Sequence, residues 1–513
     1  MSRPSHPTRS LEPSRVNAPR LAAVIVLAAG EGTRMKSSTP KVLHRIGGRT
    51  LVGHAIAAAR AAGPEHLAVV VRHERDLVAA HVAEVDSSVV IADQDDVKGT
   101  GRATECALAV LPELEGTVLV TYGDVPLLAG ETLLALLDEH ARSDSAVTVI
   151  TAHLADPTGY GRILRDEDGT VAGIVEQKDA SDEQRAITEI NSGIYAFDAA
   201  VLRTALAQVG TDNAQGEKYL TDVLAIARSA GGRVSAHVID DLWQTEGVND
   251  RVQLARLGKE LNRRTTERWM REGVTIVDPD TTWIDTDVTI GRDTTVLPGT
   301  QLLGATTIGA DAVIGPDSTL TDTEVGDGAE VKRTEALLAV IGAGATVGPF
   351  SYLRPGTELG AKGKIGGFVE TKNAKIADGA KVPHLTYAGN VTIGEGANIG
   401  AGTIFANYDG VSKHHTTIGR HSFVGSNSVL VAPVTVADGA YVGAGSAVTE
   451  DVEPGQIAVA RGRQHNIDGW VTRARAGTKS AEAAQAAAAG RPAEDAGAAA
   501  RHTEHSTEGQ GHA

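Results

Sequence analysis

Fifteen residues, LAAGEGTRMKSSTPK (Leu27 to Lys41), hold the first chemistry in this chain. Glycines there let backbone N–H groups approach a phosphate closely, and Arg34 and Lys41 supply positive charge beside it. By itself such a loop is as readily a tight turn. A second candidate is Asp124 in TYGDVPLL, an acid directly after an apolar run. At the carboxyl end of a parallel strand it would face the crevice where α/β sheets bind ligands, and a carboxylate there suits Mg²⁺. Alone it is equally a turn cap before Pro126. The third is His384 in HLTY, since imidazole titrates near neutral pH and suits a general base, although one histidine among 17 is ordinarily structural.

The elements that must position these groups are readable from periodicity. Between Leu21 and Asn249, apolar runs (AAVIVLAA, HLAVVV, VVIA, TVLVTYGD, AVTVITA) alternate with helical patterns such as TLVGHAIAAARAAG and ETLLALLDEHARS. That alternation predicts a mostly parallel sheet with helices on both faces, a Rossmann-like α/β domain over residues 21–250. The segment 251–272, with Leu254, Leu257 and Leu261 at helical spacing, predicts a linking helix. From residue 273 to 470 an aliphatic residue followed by Gly recurs: Ile308-Gly309, Ile314-Gly315, Ile341-Gly342, Val347-Gly348, Ile393-Gly394, Ile399-Gly400. The step of six residues within each pair gives one short strand and one turn per repeat. Three such faces close one coil of a prism, and stacked coils bury a continuous aliphatic core. This accounts for 58 glycines and an aromatic fraction of 3%. The phase breaks between Lys375 and Val391 and again around FANYDGVSKHH (Phe405 to His415), and insertions in a solenoid map to surface loops where function concentrates.

Composition sets the boundaries. A formal charge of −17 repels nucleic acid, and no apolar run is long enough to span a membrane. The apolar stretch after a basic start has features of an export signal, but Cys106 is the single cysteine and can form no internal disulfide, which leans towards the cytoplasm. Residues 1–20 and 471–513, rich in Pro, Ser and Arg or in Ala, lack an apolar face and read as disordered tails, with His502, His505 and His512 solvated rather than metal-bound.

In order along the chain stand LAAGEGTRMKSSTPKVLH, QDDVKGTGRA, YGDVPLL, DPTGYGRI, GIVEQKDA, EINSGI and EGVND, then RPGTELG, GFVETKNAKI, HLTYAGN, NIGAGTIFANYDGVSKH, VGSNSVLVAPV and VGAGSAV. Over about residues 21 to 470 this pattern resembles the bacterial family of bifunctional N-acetylglucosamine-1-phosphate uridyltransferase/glucosamine-1-phosphate acetyltransferases. The resemblance implies a left-handed parallel β-helix after the α/β domain, a homotrimer with acetyl-transfer sites shared between prisms, and supply of cell-envelope precursors. It implies that Leu27, Ala28, Ala29, Gly30, Gln94, Gly99, Thr100, Tyr122, Gly123 and Asp124 hold the uridine nucleotide of UTP, with Arg34 and Lys41 neutralising its phosphates. Gly161, Glu176, Asn191 and Asn249 are then the contacts to N-acetylglucosamine 1-phosphate, and Asp124 and Asn249 the Mg²⁺ ligands. Phosphoryl-type transfer of this kind needs alignment and charge neutralisation rather than a base.

For acetyl transfer from acetyl-CoA to glucosamine 1-phosphate, the same resemblance implies His384 as general base and Arg354, Lys372, Tyr387 and Asn398 as the sugar-phosphate site. Ala401, Asn407, Tyr408, Ser426, Ala444 and Arg461 are the acetyl-CoA residues, with Lys413 adding charge there or merely solvated. Trp470 either reaches a neighbouring acetyl site or packs locally. Lys98, Arg102 and Asp250 depart from the family pattern, the first two adding positive charge near the nucleotide, and Val382-Pro383 before His384 is also less usual. The rival readings are a nucleotidyltransferase of different sugar specificity whose hexapeptide domain only oligomerises or regulates, which leaves the HLTY and NYDG interruptions unexplained, and a scaffold without activity, which would tolerate loss of Asp124, Lys41 or His384 although all three are present.

Overall fold

The computed structural model describes residues 20–167, 169–213 and 215–490. Its first unit is a nine-stranded sheet whose main path runs Val234–Val238, Val147–His153, Glu189–Asp198, Thr117–Tyr122, Leu21–Leu27, His66–Val71, Val90–Asp93. Every neighbouring pair is parallel except those of Glu189–Asp198, which runs antiparallel to both its neighbours. Leu21–Leu27 is buried throughout, so the apolar run after the basic start is the sheet's central strand. From it the chain winds outward to Val90–Asp93, then returns to lay Thr117–Tyr122 on its other side. That reversal is a topological switch point, and it opens a crevice past Leu27 and Tyr122. Alternate residues feed two cores: Ile25, Val118 and Val120 on one face, Val24, Val26 and Leu119 on the other.

Away from the crevice, His140 is 5% exposed and its Nδ1 is 2.9 Å from Thr148 Oγ1. Burial pushes its imidazole down to about 4 from 6.5. The unfolded chain therefore binds a proton that the folded chain excludes, and stability present above about pH 6.5 is lost as the pH falls towards 4. The full window is worth up to about 3 kcal/mol. Urea midpoints at pH 7 and pH 5 should draw closer together in His140→Leu than in the parent chain; an unchanged gap would show that His140 does not carry the acid sensitivity.

The linking helix, Arg251–Arg271, starts where Asp250 accepts the Gln253 N–H at 2.8 Å. Asp250 thus serves as its N-cap. Asn262, midway along it, pins the helix to the first coil, donating to Thr282 O at 2.8 Å and accepting from Ile284 N at 3.0 Å.

Beyond it, among the described residues, 28 short parallel strands stack in ladders forming a three-faced β-helix. One ladder carries Val296, Ile314, Val331, Val347, Ile365 and Val382 into the interior, another Ile308, Val325, Ile341 and Leu359, a third Leu302, Leu320, Ala336 and Leu353. Glycine at the corners follows from closeness of successive coils: a Cβ on Gly366 would lie 1.8 Å from Pro383 O.

The two phase breaks differ from the expectation of two insertions. Ile376 pairs with Ile393, so the first is a coil one residue short with no loop added. Only the second is an insertion: Ile393 pairs with Ile418 and Phe405 with Leu430, seven residues beyond the eighteen of a regular coil. A further contraction stands between Leu320 and Ala336, absorbed at corners where Asp322 and Arg333 take positive φ.

The reading of a disordered tail from residue 471 is corrected in part. Helices Trp470–Ala474 and Lys479–Ala489 occupy its start, the second capped by Thr478, whose side chain accepts from Ala481 N. Alanine's helix propensity outweighs the missing apolar face. Residues 1–19 and 491–513, including His502, His505 and His512, lie outside the described residues.

Candidate functional site

The switch point holds a cavity of about 500 Å³. Leu27, Ala28, Ala29, Gly30, Lys41, Gln94, Gly99, Thr100, Tyr122 and Asp124 all line it, as the sequence reading expects. Strand ends lock its floor: Ala28 N donates to Val70 O and Gly123 N to Leu27 O, each at 2.9 Å. Nothing lies within 4 Å of a Cβ placed on Gly30, so that backbone faces open space. Gly99, at φ +115°, begins the helix Thr100–Val110, and a Cβ there would strike Lys218 O at 2.2 Å. Gln94 Nε2 donates to Gly99 O at 3.2 Å and closes the QDDVKG turn on itself. Lys41 and Asp124 form an ion pair on the cavity wall, with side chains only 12% and 20% exposed.

Two expectations shift. Arg34 does not line the cavity; its guanidinium donates to Asn249 Oδ1 at 2.8 Å, which ties the glycine-rich loop to the EGVND segment. Lys98 lines the cavity, but Arg102 is turned away and engaged with Asp95 and Glu105, so of the two departures only Lys98 faces the cavity. The sequence reading missed Arg72, which also lines the wall. Its place directly after the strand His66–Val71 was the available signal.

Tyr122 joins this cavity to a second cluster. A Cβ on Gly193 would meet its ring at 2.4 Å, and one on Gly161 would lie 3.3 Å from Glu176 Oε1 and 3.4 Å from Asn191 Cβ. Gly161, Glu176 and Asn191 therefore converge. Asn191 Oδ1 accepts from Gly193 N and Tyr195 OH, both at 2.9 Å, which fixes the amide. Burial raises the Glu176 carboxyl, with Asp179 and Asp222 adding to it. Burial likewise holds the Tyr122 phenol neutral, reinforced by the charges of Asp124 and Glu176. Neutral hydroxyl and amide groups beside a carboxylate suit recognition of a sugar. Arg162, buried next to Gly161, donates to Gln177 Oε1 at 2.8 Å and to Tyr160 O, bracing the loop.

A metal ion fits beside this cluster. Val248 N donates to Asp124 O at 2.9 Å, which draws the segment bearing Asn249 against Asp124. The Asp124 carboxylate and the Asn249 amide carbonyl are hard oxygen donors, engaged here by Lys41 and Arg34, whose places at these oxygens a metal ion would share or take over; Mg²⁺ commonly takes one or two protein ligands and fills the rest with substrate phosphates and water. Among the described residues no group of three or more His, Cys, Asp or Glu gathers that could hold a metal, so substrate oxygens have to complete such a site.

On the β-helix, His384 ends the strand Lys381–His384 at a prism corner, and it shares a cavity of about 500 Å³ with Ala401, Phe368, Leu385 and Pro383. Among the described residues its ring has no hydrogen-bond or ionic partner, while its carbonyl accepts from Thr386 Oγ1 at 2.8 Å and Gly402 N at 3.2 Å. The side chain is free on a fixed backbone. Pro383 puts its carbonyl against Gly366, which rigidifies the approach to His384. Around the corner, Arg354, Lys372 and Tyr387 stand on successive coils; Arg354 pairs with Glu370 at 2.9 Å. Lys372 is pushed below the usual lysine range by Lys413 first and Arg354 next, which places three cations around one spot. Lys413 is thus part of the cluster.

Ser426 and Ala444 succeed Ala401 down the corner, and Arg461 closes the row by donating to Ala444 O at 2.9 Å. Asn407 and Tyr408 begin the inserted loop, with Asn407 donating to Asn390 Oδ1 at 3.0 Å. Asn398 is not brought to the three cations: it lies in the other ladder, paired with Lys381 and Phe423. Trp470 is half exposed, with Arg475 over its ring at 5.3 Å.

Comparison with known proteins identifies the two domains. Residues 24–185 match the MobA-like NTP transferase domain, and residues 415–450 match the bacterial transferase hexapeptide (six repeats). Proteins described as "Bifunctional protein GlmU" are 65% identical in Pseudarthrobacter chlorophenolicus and 62% in Kineococcus radiotolerans, each match covering 91% of this chain and 95% of the relative. The Corynebacterium glutamicum protein of that name is 59% identical over 91% of this chain and 97% of its own. The chain belongs to the bifunctional GlmU family, and is a uridyltransferase and acetyltransferase of UDP-N-acetylglucosamine synthesis.

Proposed function

We propose that the switch-point cavity binds UTP through Leu27 to Gly30, Gln94, Gly99 and Thr100, with Lys41 and Lys98 against the phosphates. Gly161, Glu176 and Asn191 hold N-acetylglucosamine 1-phosphate so that its phosphate oxygen meets the α-phosphorus of UTP and pyrophosphate leaves. Alignment and charge neutralisation supply the acceleration. Asp124 and Asn249 hold Mg²⁺, which neutralises charge on the phosphates when bound. Arg34 acts indirectly, by holding Asn249. The observation that carries this half is the convergence of Lys41, Asp124 and the Gly161–Glu176–Asn191 cluster around Tyr122.

In the second site His384 takes the proton from the amine of glucosamine 1-phosphate as its nitrogen bonds to the thioester carbon of acetyl-CoA; the carbon–sulfur bond breaks and the sulfur leaves as the thiol of CoA, taking up that proton. Arg354, Lys372 and Lys413 receive the phosphate; Tyr387 stands beside them. Ala401, Asn407, Tyr408, Ser426, Ala444 and Arg461 form the acetyl-CoA path. Acetylation precedes uridylation, since the product of the second site is the acceptor of the first. The corner exposes Phe350 and Phe368, stacked at 5.2 Å and 54% and 63% accessible in the single chain. With Asn398 on another ladder, this supports a homotrimer in which a neighbouring prism covers the corner and completes the site. The enzyme works in the cytoplasm on cell-envelope precursors.

Light scattering on the purified chain should give three times the 53.1 kDa of one copy. Removal of divalent metal with a chelator should stop pyrophosphate release and leave thiol release intact, with Mg²⁺ restoring the first. A monomer with full acetyl transfer would remove the shared site, and pyrophosphate release in chelator would remove the metal.

A further inference from the structure

The inserted loop is a hairpin rather than an open loop. Tyr408 and Lys413 form an antiparallel bridge, and His414 N donates to Asn407 O at 2.8 Å. Its feet are tied to the strand Tyr387–Ile393: Asn407 donates to Asn390, and His415 Nε2 lies 3.0 Å from Thr392 Oγ1. Its tip is held by one carboxylate. Asp409 Oδ1 accepts from Val411 N at 2.8 Å and Ser412 N at 2.7 Å, while Oδ2 accepts from His414 Nε2 at 2.7 Å.

This closure has an electrostatic opponent. Lys413 faces Lys372 and Arg354, and among the described residues neither Lys372 nor Lys413 is within ion-pair distance of a carboxylate, Glu370 being engaged by Arg354. Two unpaired ammonium groups in mutual view repel, so an exposed hairpin without a latch would swing Lys413 away. The Asp409–His414 contact is a charge-assisted latch on the residue immediately after Lys413.

We propose that His414 is a positioning residue for acetyl transfer: through Asp409 it keeps the Asn407–His414 hairpin closed and so holds Lys413 where the phosphate of glucosamine 1-phosphate binds. His414 touches no substrate. The inference rests on the reading of Arg354, Lys372 and Lys413 as the phosphate site.

The test is a double-mutant cycle in the full chain, reading the KM for glucosamine 1-phosphate and kcat by thiol release at saturating acetyl-CoA. His414→Phe should raise that KM about tenfold, equivalent to about 1.4 kcal/mol, with kcat within about twofold. Lys413→Ala should raise it similarly, and the double variant should be no worse than Lys413→Ala alone. His414→Gln, whose amide can still donate to Asp409, should restore most of the loss. Pyrophosphate release from the distant first site should stay constant in all four and report an intact fold. Multiplying KM effects in the double variant, or an unchanged KM in His414→Phe beside a raised one in Lys413→Ala, overturns the positioning role. An unchanged KM in Lys413→Ala overturns the phosphate-site reading itself, and the latch with it.

Discussion

Replacing His384 with alanine should lower thiol release from acetyl-CoA by about 10²–10⁴-fold while pyrophosphate release continues at the parent rate. The range is that of a positioned general base. The amine of glucosamine 1-phosphate must shed a proton as its nitrogen bonds to the thioester carbon, and His384 is the imidazole in the cavity that also contains Ala401. Its ring has no partner among the described residues, so it is available to accept that proton. The same fact makes the substitution clean. The carbonyl of His384 carries the contacts to Thr386 and Gly402, and alanine preserves both. Thermal stability should therefore stay within about 0.5 kcal/mol of the parent, as for other exposed side chains. His384→Gln, which keeps a polar side chain without a basic nitrogen, should be as inactive as the alanine variant. Retention of thiol release in either variant would assign the proton to another group, and loss of both activities would mean the fold had failed.

The complementary experiment is Asp124→Asn, which should lower pyrophosphate release by about 10²–10³-fold and leave thiol release unchanged. Asparagine keeps the shape of the side chain but removes the charge that faces Lys41 on the cavity wall. The backbone link from Val248 N to Asp124 O survives, so Asn249 stays in place. The loss thus isolates the carboxylate's charge from the architecture of the loop. Lys41, left without its partner in a largely buried position, should become more accessible to amine reagents, a readout separate from turnover. If the Mg²⁺ dependence shifts to higher concentration in Asp124→Asn, the carboxylate is a metal ligand; an unshifted dependence with reduced rate would restrict it to orienting Lys41. Activity within a few-fold of the parent would place the chemistry elsewhere in the crevice.

The frame of both sites was legible because local rules determine it, whereas most individual site residues came from the family resemblance. An apolar run ending in glycines is a buried strand feeding a loop whatever surrounds it, and Leu27 to Gly30 do line the cavity. The six-residue alternation of aliphatic residue and glycine leaves no choice but short strands and corners, because a Cβ at positions such as Gly366 collides with the next coil. The ladder Val296, Ile314, Val331 follows directly.

What failed to show in the sequence depends on groups far apart in the chain. Nothing near Arg34 indicates that Asn249, 215 residues away, takes its guanidinium in place of the cavity. Arg102 reads as an added charge until Asp95 and Glu105 are seen to engage it. A break in phase reveals that a coil is irregular but not whether it is short or long, since that is settled by which residues pair across coils, Ile376 with Ile393 and Ile393 with Ile418. The antiparallel strand Glu189–Asp198 carries Asn191 to Gly161 and Glu176 by running between two strands of opposite direction, a choice made by the whole sheet. The sequence by itself determined the two architectures and the strand-end acid, because backbone period and burial are local, while His384 was singled out by resemblance and its free ring by the fold. Only the tertiary structure decided which charges reach the cavities and which are spent on one another, because an ion pair forms between whatever side chains the fold brings within a few ångströms.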